Sequence, residues 1–91
     1  MTVITVTAEH IAKGIRGNCE HCPVALALLD AYPDLTYISV GPDAITMQHG
    51  KDTAEIEVTA PCEVEYFICD FDEGAAVAPF TFALDYPAVT R

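Results

Sequence analysis

Residues 35–59 read Leu35-Thr-Tyr-Ile-Ser-Val-Gly-Pro-Asp-Ala-Ile-Thr-Met-Gln-His-Gly-Lys-Asp-Thr-Ala-Glu-Ile-Glu-Val-Thr59. Three apolar, β-branched runs are separated by two short turn signals. Leu35 to Val40 is the first predicted strand, and Gly41-Pro42-Asp43 is its turn. Ala44 to His49 is the second, with Ile45, Met47 and His49 in phase, and His49-Gly50-Lys51-Asp52 turns the chain again. Thr53 to Thr59 alternates most cleanly: Ala54, Ile56 and Val58 on one phase, Thr53, Glu55, Glu57 and Thr59 on the other. Consecutive strands joined by short turns predict an antiparallel meander.

A helix is predicted on each side of this meander. Pro23 suits a first helical position, because its missing N–H has no partner there anyway. The apolar run that follows extends to about Tyr32, where Pro33 stops it. Its single charge is Asp30, so it must be covered on more than one side. Ala60-Pro61 opens the other helix, which ends near Glu73 with Gly74 as a left-handed stop. Val64, Phe67, Ile68 and Phe71 form its apolar face.

Outermost lie two more strands. Met1 to Thr7 alternates, with Ile4 and Val6 in phase, and Thr7 caps a short turn of helix, Ala8 to Lys13, with Gly14 as its expected left-handed stop. Val77 to Asp85 places Phe80, Phe82 and Leu84 in phase, and Pro79 confines its beginning to an edge. The order β-α-β-β-β-α-β predicts an α+β fold: a two-layer structure with one mostly antiparallel sheet and two main helices on one face. The expected core is Ile4, Val6, Val24, Leu28, Ile38, Ile56, Val58, Val64, Phe67, Ile68, Phe71, Phe82 and Leu84. The central helix–three strands–helix order resembles the double-stranded-RNA-binding domain in element order only. The basic helix and loop that such a domain needs are absent, so no function carries over.

The 91 residues fit one domain, 1–91, and a hydrophobic content of 52% excludes disorder as the main state. Only four Lys and Arg oppose fourteen Asp and Glu, which excludes direct nucleic-acid binding as the expected role. No signal peptide and no membrane-length apolar run is visible, so a cytoplasmic protein with reduced cysteines is expected.

Asn18-Cys19-Glu20-His21-Cys22-Pro23 holds two thiols three residues apart before a helix. One reading is a redox pair whose thiolate the helix dipole stabilises, although the motif lacks the strand that precedes it in thioredoxin. A second is a zinc site formed by Cys19 and Cys22 with His21 and His10 as completing ligands. Cys62 and Cys69 lie about 10 Å apart along a helix and cannot share one ion. The plainest reading is that the cysteines are small apolar fillers. No nucleophile elbow, phosphate loop or paired-carboxylate motif appears, and Asp70-Phe-Asp72-Glu73-Gly74 lacks EF-hand ligand spacing, so neither an enzyme nor a calcium protein is expected.

Charge is strongly uneven. Residues 1–51 carry three basic and five acidic side chains, and residues 52–91 carry one basic and nine acidic. Glu55 and Glu57 share a strand face, and Glu63, Asp70 and Glu73 fall on the solvent side of the second main helix. Acids at a helix C-terminus oppose its dipole by about 0.3–1 kcal/mol each. A solvated acidic face accounts for them through solubility. The sharper expectation is a surface for a basic partner, such as a DNA-binding protein whose nucleic-acid site the carboxylates mimic.

Val6-Thr-Ala-Glu-His-Ile-Ala-Lys-Gly14, Arg16-Gly-Asn-Cys-Glu-His-Cys-Pro-Val-Ala-Leu-Ala-Leu28, Phe67-Ile-Cys-Asp-Phe-Asp-Glu-Gly74 and Val77-Ala-Pro-Phe-Thr-Phe82 together resemble small uncharacterised proteins encoded by phages of actinobacteria. The resemblance implies a phage accessory protein of the host cytoplasm and carries no chemistry. The expected function is binding, and possible inhibition, of a host protein, with no cofactor. The zinc or thiol protein is the alternative, and a structural phage component a third. A homodimer is also expected, because one sheet face cannot cover the apolar helix and because Phe80 and Phe82 would otherwise form an exposed row.

Overall fold

The computed structural model describes residues 2–41, 44–51 and 53–84. Its elements run β1 (Thr2–Val6), α1 (Ala8–Lys13), α2 (Pro23–Ala31), β2 (Leu35–Val40), β3 (Ala44–His49), β4 (Ile56–Thr59), α3 (Cys62–Asp72) and β5 (Phe80–Leu84). The α+β class and the antiparallel meander are as the sequence predicts. The single sheet is not. Among the described residues the strands form two sheets, β1–β5 and β2–β3–β4, both antiparallel. The last strand pairs with the first, Ile4 opposite Phe82, and neither joins the meander's ladder. Hydrophobic alternation specifies which face of a strand is buried but not which edge it pairs along, so the partition was open.

One cluster of buried side chains joins the sheets. Ile4 and Val6 from β1, Leu84 from β5, Val24 and Leu28 from α2, Ile45 and Met47 from β3 and Val64 from α3 are all sealed from solvent. Twelve of the thirteen expected core residues belong to this cluster or pack against it, counting Ile68 and Phe71 at its half-buried margin; Ile56 is the exception. Helix α2 packs against α1, β1 and β2, which covers its apolar circumference within one chain. Phe80 is half-buried, with its ring 4.7 Å from Phe67 and 5.7 Å from the buried Phe82. The two features that suggested a second copy are therefore covered internally.

Three local expectations need correction. Strand β4 begins only at Ile56, so Thr53, Ala54 and Glu55 lie outside it and Ala54 is exposed. Ile56 itself is 39% exposed, because β4 is the outer strand of its sheet and only Val58 reaches the core. Gly14 is not left-handed. Its φ and ψ are −67° and 150°, and glycine is required for another reason: a Cβ there would stand 2.5 Å from Pro23 Cδ. Gly14 thus lets the first turn of α2 press against the end of α1. Gly74 does take the expected positive φ, 84°. Asp85, the last residue of the final predicted strand, lies outside the described residues, as does the 42–43 turn.

Candidate functional site

Helix α3 is built on one contrast. Val64 and Phe67 are buried and Phe71 is half-buried, with the Phe67 and Phe71 rings 6.1 Å apart. At 100° per residue, the side that flanks this stripe brings Glu63, Tyr66, Asp70 and Glu73 within an arc of about 80°. All four are exposed, and Tyr66 is 67% exposed at the middle of the acids. Sequence reasoning found the carboxylates but missed the tyrosine, although its position between Glu63 and Asp70 on the solvent phase was the available signal. Glu55 and Glu57 are also exposed but sit on and beside β4, another element. Carboxylates on an outer strand discourage pairing with a foreign strand, which explains them without a partner.

The C-terminal end of α3 is less unfavourable than its acids suggest. The Gly17 N–H donates to Asp72 Oδ1 at 2.9 Å, and the Arg16 guanidinium lies over Gly74, Nη1 being 3.3 Å from where a Cβ would stand. A cation over the last turn complements the helix dipole. Asp72 is thereby tied into the fold, and Glu63, Asp70 and Glu73 remain outward.

The thiols have distinct surroundings. Cys22 is the N-cap of α2, and its Sγ accepts from the Ala25 N–H at 3.4 Å. Burial pushes its pKa up, overriding the N–H groups of Ala25 and Val24, while Asp72 and Cys19 nearby push in the same direction as burial. The helix end therefore does not make Cys22 a ready thiolate, contrary to the dipole expectation. Cys19 is exposed; its Sγ accepts from the Ser39 hydroxyl at 3.4 Å, and its carbonyl accepts from the Val40 N–H at 2.8 Å. Both cysteines line a cleft of about 200 Å³ with Gly17, Val40, Ile68 and Asp72. Cys62 and Cys69 are exposed on α3.

The four predicted zinc ligands are not assembled. Among the described residues no three His, Cys, Asp or Glu side chains are grouped to hold a metal ion. His21 is exposed and lies with its Nδ1 3.3 Å from Asn18 Oδ1. His10 is buried and belongs to a different construction. Its Nδ1 accepts from the Thr7 N–H at 3.0 Å while its own N–H donates to Thr7 Oγ1 at 3.3 Å, a reciprocal capping box at the start of α1. With Nδ1 accepting, Nε2 carries the proton and donates to Asp30 Oδ2 at 2.6 Å, linking α1 to α2. Sequence reasoning also missed a polar group beside the meander. The Asp34 carboxylate lies 3.1 Å from His49 Nδ1, and the His49 ring meets Tyr32 edge-on at 5.7 Å.

Among the described residues no helix is long and apolar enough to cross a membrane. No family model, curated protein or solved structure matches the chain.

Proposed function

We propose that this chain is a non-enzymatic binding protein of phage origin that engages a basic host protein in the cytoplasm through the outer face of α3. Glu63, Asp70 and Glu73 supply the charge, and Tyr66 supplies an aromatic anchor. The single supporting observation is the 67% exposure of Tyr66 within that acidic arc. Tyrosine is among the residues that most often carry interface energy, and a solubilising face has no need of one. A DNA-binding protein is the partner class that best suits a row of carboxylates, since they can occupy the place of phosphates.

Capture from an actinobacterial host lysate tests this reading, with wild type and Tyr66→Ala immobilised in parallel. The expected result is a protein retained by wild type, lost at high salt, displaced by duplex DNA and reduced about tenfold or more by Tyr66→Ala. Equal retention on both, or retention indifferent to salt and DNA, contradicts it.

A further inference from the structure

We propose that Cys19 and Cys22 form a thiol–disulfide pair, Cys19 attacking and Cys22 resolving, that closes on meeting a low-molecular-weight disulfide such as oxidised glutathione. The two sulfurs line the same cleft, and they differ as such a pair must. Cys19 is exposed, open to an outside disulfide, and accepts a hydrogen bond from the Ser39 hydroxyl, whereas Cys22 is only 3% exposed. The intervening turn is closed by the His21 N–H on the Asn18 carbonyl at 3.2 Å and by the Glu20 N–H on Asn18 Oδ1 at 2.9 Å, so the chain doubles back between the two cysteines. The thiol pushed up by burial is the one protected from outside reagents, which suits second place in the sequence of attack.

The chemistry balances with two exchanges. The Cys19 thiolate attacks one sulfur of oxidised glutathione, forming a mixed disulfide and releasing one glutathione thiolate. Cys22 then attacks the Cys19 sulfur, the second glutathione leaves as thiolate, and the Cys19–Cys22 disulfide remains. The protein loses two protons and two electrons, and one glutathione disulfide becomes two glutathione thiols. Cys62 and Cys69, seven residues and about 10 Å apart along α3, cannot join each other within the helix and serve as internal controls.

The test uses the full chain and oxidised glutathione, quenched with a thiol alkylator and digested with trypsin. Cleavage after Arg16 and Lys51 isolates Cys19 and Cys22 in peptide 17–51, away from Cys62 and Cys69. The expected product is peptide 17–51 with neither thiol alkylated and its two sulfurs joined, beside glutathione or alkyl groups on Cys62 and Cys69. In Cys22→Ser, where serine is itself a favoured N-cap, a stable glutathione adduct should accumulate on Cys19. In Cys19→Ser, Cys22 should react at least about tenfold more slowly than Cys19 does in Cys22→Ser. Peptide 17–51 carrying adducts and no internal disulfide, no adduct at Cys19 in Cys22→Ser, or equal reactivity of the two thiols each overturns the proposal.

Discussion

Helices α2 and α3 flank the same meander, yet they are used in opposite ways. Of the nine residues of α2, five are buried, Leu26 and Leu29 are half-buried, and its charge, Asp30, is bonded to His10. Of the eleven residues of α3, only Val64 and Phe67 are buried, and the outer face carries carboxylates around an open tyrosine. A helix whose apolar side chains are covered on several sides contributes mainly to stability and has little apolar surface left to offer. A helix anchored by one narrow stripe can vary its outer face with little effect on the fold. The difference teaches where each kind of substitution should act: changes in α2 and its supports should alter stability, and changes on the outside of α3 should alter binding.

Leu28→Ala is the strongest way to sharpen this contrast. The side chain is fully buried, so its loss should cost about 2–5 kcal/mol, read as a lowered urea midpoint with an unchanged slope. An unchanged midpoint would break the α2 side of the comparison. Gly14→Ala comes next. Its Cβ would meet the Pro23 ring and must push α2 away from α1, at about 1–3 kcal/mol; a gain in stability would show that the contact is slack.

His10→Ala removes the capping box and the bond to Asp30, and should cost about 0.5–2 kcal/mol in the same assay. His10→Gln, which can rebuild the box, should recover part of it. A smaller effect depends on pH. Burial raises the folded pKa of Cys22 above its ordinary 9.0, so the folded chain holds that proton to higher pH than the unfolded chain. The contribution is complete below the unfolded value and is lost as pH rises through the folded one. Comparing urea midpoints at about pH 8 and about pH 10, Cys22→Ser should show a shallower alkaline decline than wild type.

The same contrast explains what could be read in advance. Both helices, the meander and the phase of Ile4, Val6, Phe82 and Leu84 were legible, because burial imposes a period on the sequence. The pairing of β1 with β5 was not, since alternation does not name a partner strand. Gly14 looked like a stop and serves as a contact, because the proline it makes room for lies nine positions ahead. His10 looked like a possible metal ligand and is a helix cap, a role whose usual residues are Glu and Gln. On α3 the acids were visible as charge; Tyr66 shares their helical phase, and its 67% exposure is what the structure adds. The tie from Gly17 to Asp72 spans 55 positions, and no local pattern announces it.

The division of labour is tested most directly by measuring one variant twice. Glu63→Lys, Asp70→Lys and Glu73→Lys combined replace the three outward carboxylates, which touch nothing in the core. The expected result is a urea midpoint close to that of wild type, since cations at positions 70 and 73 favour the last turn of α3 and relieve like charges while Glu63→Lys costs the first turn a favourable acid, together with complete loss of the salt-sensitive host protein. Capture that survives the triple reversal with its salt dependence intact would contradict the account and leave the acids of α3 with solubility as their role.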